Sequence, residues 1–162
     1  MAKTTTTPFT QNIKNIGCIL SNAGGVAPVP NLLAYNATTG QPTNANQLVT
    51  FYTAGAEGAV LKSMSVSNNQ AVAKILGVWV QPSGTGNYYL LGQINVPASA
   101  GTGSGTTVSV DLLGNTVLIG LSYDQMGKPI LPLAGGSVVA ISCTTALATD
   151  QLIYVTGTAE EF

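Results

Sequence analysis

The chain has 162 residues, a formal net charge of -1 and no histidine, and only 7% of it is charged, against roughly 25% in an ordinary soluble domain. That length suits one domain that withdraws roughly 70% of its unfolded surface from water without staples. Without imidazole, the usual general base, the Ser-His and Cys-His nucleophile pairs and the commonest transition-metal ligand are excluded.

Residues 1–47 hold the threonines Thr4 to Thr7, the prolines Pro8, Pro28, Pro30 and Pro42, and the pair Gly24-Gly25. They predict an extended N-terminal arm, broken by a strand-like run at Ile13 to Leu20 and a short strand or helical turn at Pro30 to Tyr35. The arm either lies along the domain's own surface or reaches a neighbouring subunit. Lys3 is followed by threonines where a secretory signal needs an unbroken apolar stretch, so export by that route is not expected.

A β domain is expected over 48–162. Leu48 to Thr53 opens it, and Ala54 to Gly58 turns the chain. From Val60, the residues Val60, Met64 and Val66 alternate against Ser63, Ser65 and Ser67 with the two-residue period of a half-buried strand, Lys62 being the exception on the apolar side. After Asn68-Asn69-Gln70, the run Lys74 to Gln81 is apolar on both faces and reads as a central strand. The breaker Pro82 to Asn87 returns the chain into Tyr88 to Val96, so two successive hairpins are predicted.

Pro97 to Thr106 is a long flexible connection. Thr107 to Leu112 alternates as an amphipathic strand, Thr116 to Ser122 is a further short strand, and Tyr123 to Lys128 a loop. The prolines of Pro129 to Leu133 remove ladder donors, which makes that segment an edge at best. Ser137 to Cys143 reads as an interior strand and Gln151 to Thr158 as the last, before a tail that anchors a neighbour or frays. Eight or nine short strands with turns between them predict an all-β, antiparallel β-sandwich, and the 97–106 crossing favours a jelly-roll-like one over a meander barrel. The uncharged span Pro129 to Thr149 has membrane length, but two prolines and Gly135-Gly136 interrupt it, and no membrane partner is expected.

Residues able to carry chemistry are few. The five cations, Lys3, Lys14, Lys62, Lys74 and Lys128, are scattered and no arginine accompanies them, so nucleic acid is not an expected partner. Glu57, Asp111 and Asp124 could serve as paired carboxylates, but no spacing brings two together, and they read as solvated acids. Gly101 to Gly105 lacks the spacing and lysine of a phosphate loop. Asp124 to Lys128 lacks the alternating oxygen ligands of a calcium loop. Asn36-Ala37-Thr38 has the form of a glycosylation acceptor and nothing more. Cys18 and Cys143 read as reduced, buried thiols, although spacing does not decide whether they pair. Trp79, Tyr88 and Tyr89 could form a binding platform; Trp79 shares its phase with Ile75 and is assigned to the core, and the tyrosines point to opposite faces. No catalytic residue, cofactor-binding residue or metal ligand is expected.

The Thr-rich arm, the charge-poor β domain and the loops Ala54-Gly55-Ala56-Glu57-Gly58, Leu131-Pro132-Leu133-Ala134-Gly135-Gly136 and Ala159-Glu160-Glu161-Phe162 together resemble small structural proteins of tailed-phage virions, most of all capsid decoration or cement proteins. The resemblance spans roughly Leu48 to Phe162. It implies a non-enzymatic protein of the outer capsid surface, present in the host cytoplasm before assembly. Its implied partners are the major capsid protein and copies of itself, a trimer being one form. The arm, Lys3 to Gln47, would link neighbours. A head fibre or tail component shares these features, and a carbohydrate-binding β-sandwich module is the rival from another class.

Overall fold

The computed structural model describes residues 12–21, 42, 48–102, 108–115, 117–143, 147 and 151–162. Ten strands form among them: β1 (Asn12–Ser21), β2 (Val49–Thr53), β3 (Ala59–Asn68), β4 (Lys74–Gln81), β5 (Tyr89–Val96), β6 (Val110–Asp111), β7 (Ser122–Tyr123), β8 (Pro129–Leu133), β9 (Val138–Cys143) and β10 (Leu152–Glu161). No helix occurs among the described residues. One sheet runs β1-β10-β3-β8-β7, with β6 beside β8 on the same flank of β3, and the other runs β2-β9-β4-β5. Every pairing is antiparallel.

The pairings are nested. β1 lies on β10, β2 on β9, β3 on β8 and β4 on β5, as in one long hairpin whose tip is the turn after β4. Two further ladders, β10 on β3 and β9 on β4, fold that hairpin over into two sheets. Met64 and Val66 of β3, Leu76 and Val78 of β4, Ile94 of β5, Ile141 of β9 and Val155 of β10 meet in a single buried cluster that joins both sheets, giving a sandwich-like all-β arrangement. Removing such side chains from water is the main driving force for this layering, at roughly 1.5–3 kcal/mol for each large apolar group.

The strand-like run inside the expected arm is β1, which pairs with β10 over its whole length, so the sheet begins well before residue 48. The rest of 1–47, apart from Pro42, lies outside the described residues, as do Asn36-Ala37-Thr38 and most of the 101–105 glycine run. The first of the two expected hairpins is not formed, because β3 and β4 belong to different sheets. Buried Asn68 makes that corner: its Nδ2 donates to the carbonyls of Pro97 (2.9 Å) and Val72 (3.3 Å), and its Oδ1 accepts from the Gln70 amide at 2.9 Å. Intramolecular partners of this kind let a polar side chain turn the chain inside the fold.

Lys62 is not an intruder on the apolar face. Thr158 pairs with Ser63 but Ala159 pairs with Leu61, so β3 carries one extra residue at this point. A bulge of that kind resets the alternation. Ala59 and Leu61 face the core before it, and Met64 and Val66 after it. On β10 the same place is occupied by Gly157, where a Cβ would stand 2.2 Å from the Ser63 carbonyl oxygen and 3.1 Å from the Phe51 ring.

Between β5 and β8 less is regular than the sequence suggests. Thr107 lies outside the described residues, and of Val108 to Leu112 only Val110–Asp111 forms ladder pairs with β3. Of the strand expected over Thr116 to Ser122, the described residues Val117 to Leu121 form instead chain that runs beside β5, Ile119 donating its amide to the Leu91 carbonyl at 3.0 Å, before β7 starts at Ser122. β8 has ladder partners on both flanks, β3 along Leu131–Leu133 and β7 along Pro129–Ile130, in spite of its prolines.

Candidate functional site

The bulge in β3 and the two-residue period of β10 together place a set of small polar side chains on the side of the first sheet away from the core. Three rows cross it: Asn15, Thr158 and Ser63; Gly17, Thr156, Ser65 and Asp111; Ile19, Tyr154 and Ser67. Ser63 Oγ and Thr158 Oγ1 are hydrogen-bonded at 2.8 Å. Hydroxyl and amide groups both donate and accept, so this face can meet another polar backbone or side-chain surface without burying a charge.

Three open depressions share the face. One, of about 450 Å³, is lined by Asn15, Ser63, Ser65, Thr156 and Thr158. A second, of about 340 Å³, lies between Lys62, Ser65, Asp111, Leu113 and Lys128. The third, of about 580 Å³, is bounded by Lys62, Glu160, Asp124, Tyr123 and Met126. Lys62 stands between the last two, its Nζ 3.4 Å from Glu160 Oε2. The result is a broad hydroxyl-lined surface with charges of both signs along one margin.

Asp111 and Asp124 both border this region, whereas Glu57 sits exposed in the turn between β2 and β3. Asp124 caps the β7–β8 turn: its Oδ1 accepts the amides of Lys128 (2.8 Å) and Met126 (2.9 Å). The Lys128 amide above all holds its carboxyl below the usual carboxylate range. Among the described residues no cluster of three or more acids, cysteines or histidines could hold a metal ion.

The aromatic residues singled out in the sequence, Trp79, Tyr88 and Tyr89, lie on or beside the other sheet. Trp79 is buried, but with Ala140, Leu48, Tyr88 and Leu90 in a separate cluster on the outer side of β4 and β9, not in the main core; Ile75, in phase with it, is exposed. The indole Nε1–H donates to buried Ser142 Oγ at 2.9 Å. Tyr89 is exposed and Tyr88 half-buried, in line with their opposite phases. Cys18 and Cys143 are both free thiols, and burial pushes Cys18 up to about 12.

Sequence reasoning missed a clasp at the end of the sandwich. Lys14 Nζ on β1 lies 2.5 Å from Glu161 Oε2 on β10, and the Tyr52 hydroxyl on β2 donates to Glu161 Oε1 at 2.8 Å. Lys14, and after it Tyr52, hold the Glu161 carboxyl below its ordinary range, while burial and this same bond push the Tyr52 phenol well up. The tail is therefore tied down to both sheets, with a further bond from the Phe162 amide to the Gly58 carbonyl at 3.4 Å. The one sequence signal was a pair of acids closing a strand.

No protein-family model, curated protein or solved structure matches the chain.

Proposed function

We propose that the protein is a non-enzymatic structural component of a tailed-phage virion, a decoration or cement protein that binds the outer capsid surface. The observation that carries the reading is the surface itself. In a chain with 7% charged residues, the outer side of the first sheet presents Ser, Thr and Asn rows bordered by exposed Ile13, Ile19 and Tyr154. A surface with so few charges has little repulsion to hold copies apart in solution. It suits extended contact with neighbours of similar polarity.

The fold supports the same reading. We read the strand orders β1-β10-β3-β8 and β2-β9-β4-β5, built from a nested eight-strand hairpin, as jelly-roll-like, with β6 and β7 as an excursion before β8. Capsid proteins are among the users of that architecture. Shell reinforcement then follows from number. Each copy that binds only the assembled shell stabilises it by mass action, and contacts repeated around the particle act together.

The linking role falls to the stretches flanking β1, since β1 itself belongs to the sheet. The test is to mix the purified protein with expanded shells lacking it and measure bound stoichiometry and shell rupture temperature. Saturable binding with a raised rupture temperature is expected, weakened when residues 1–11 are deleted. A protein that ignores shells refutes the proposal, and unchanged binding after the deletion removes the linking role from residues 1–11.

A further inference from the structure

Four exposed large apolar side chains fall within ten residues of one another on the excursion between β5 and β8. Val117 (51% exposed), Ile119 (65%), Tyr123 (71%) and Met126 (79%) follow one another along the chain that joins the free edge of β5 to the β7–β8 turn. Their neighbours Leu113 and Leu118 are buried, so this segment is anchored from inside while it displays its apolar side outward. Ile119 is fixed to β5 by its amide bond to Leu91, and Tyr123 and Met126 line one depression.

We infer that this wall is the surface through which one copy of the chain binds a second copy. The four residues are 51% to 79% exposed, so more than half of each is open to a partner at the apolar centre of an interface. The composition also fits. Tyrosine and methionine are enriched at interface centres and charges depleted there. The one charge between Val117 and Met126 is Asp124, whose Oδ1 is already engaged by two backbone amides.

Around the wall the charges have both signs: Lys62 and Lys128 on one hand, Glu160 on the other, all bordering the adjoining depressions. A rim of mixed sign can meet its own copy without net repulsion, as a self-complementary contact requires. A strongly charged partner would find no matching field in a chain of net charge -1.

This deepens the self-association contained in the proposed function, and the two can fail apart. The experiment is sedimentation equilibrium of the full chain across a wide concentration range, for the native protein and three variants. Tyr123→Ser with Met126→Ser is the first, Ile119→Asp the second, and Ile19→Ser with Tyr154→Ser a control on the other apolar patch. The fold of each is checked by Trp79 fluorescence.

The expected result is a reversible oligomer whose dissociation constant rises at least 30-fold in the first two variants, the loss typical of central interface residues, and stays within about threefold in the control. Should one wall variant fail to fold, the other decides. A native protein monomeric at every concentration, or wall variants that associate as the native protein does, overturns the inference. A monomer that still saturates shells would do so while leaving the virion reading intact, and an oligomer that ignores shells would do the reverse.

Discussion

Substituting Ser142 by alanine removes one oxygen atom and should be felt across the outer side of the second sheet. Trp79 is the only tryptophan, it is buried, and its indole N–H has Ser142 Oγ as acceptor at 2.9 Å. The space between them and β4 is kept free by Gly77, where a Cβ would come within 2.8 Å of both the indole nitrogen and the serine oxygen. No water-sized detour is needed for the indole while serine is present; with alanine its donor is left buried and unpaired. That state costs about 1–3 kcal/mol. In a domain of this length the loss corresponds to a fall in melting temperature of roughly 2–12 °C.

Urea unfolding followed by Trp79 emission measures it directly, since the reporter and the perturbed group are the same. A thermodynamic cycle separates the bond from the packing. In the Trp79→Phe background, which lacks the donor, Ser142→Ala should cost less than about 0.5 kcal/mol, with circular dichroism as the probe. Equal losses in both backgrounds, or a loss below about 0.5 kcal/mol in the native one, would refute the reasoning.

Gly157→Ala forces a methyl group toward the Ser63 carbonyl at the β3 bulge, and thermal unfolding should report a loss of about 1–3 kcal/mol; an unchanged melting temperature counts against the bulge geometry. The Glu161 carboxyl is held low by Lys14 and Tyr52, so its stabilisation is complete above the ordinary carboxylate range and disappears as the pH falls through the folded value. Glu161→Gln should therefore flatten the acid limb of a stability-against-pH curve, and an identical limb would show that the clasp contributes nothing. The Cys18 thiol, pushed up to about 12, should resist alkylation at pH 8 in the folded protein and react at once in urea; rapid labelling of the native chain would contradict its burial. Because the folded value is raised, the same thiol should erode stability between pH 9 and 12, to be seen as a drop in the urea midpoint that Cys18→Ala lessens, the remainder above pH 10 belonging to the raised Tyr52 phenol.

The strands carried by local pattern were the legible part. β2, β4, β5, β9 and β10 coincide closely with the runs Leu48 to Thr53, Lys74 to Gln81, Tyr88 to Val96, Ser137 to Cys143 and Gln151 to Thr158. In β4 the period was right and the side was not decidable. Ile75 and Trp79 do share a face, but a strand apolar on both faces offers no contrast to say which face is the interior.

At Lys62 the broken alternation was visible and its cause was not, because a bulge is defined by the partner strand. Within the run Thr116 to Ser122, Val117 to Leu121 are strand-like residues without a strand: Val117 and Ile119 are exposed, and composition does not reveal exposure. The clasp of Lys14, Tyr52 and Glu161 joins three strands far apart in the chain, and the hydroxyl rows exist only across β1, β10 and β3. Neither leaves a local signature in the order of residues.

β10 is the strand held between β1 and β3, and of the ten described strands it is the last to be made. While the chain is being synthesised, β1 has therefore already emerged but its neighbour in the sheet has not, and the β3 edge it will cover stays open. Local hairpins such as β4 on β5 can close early, whereas the outermost ladder pairs residue 12 with residue 161 and waits until β10 has been made. The strand that completes the first sheet also brings the two ends of the described chain side by side, so a tag fused before β1 and one fused after β10 would emerge from the same corner of the molecule.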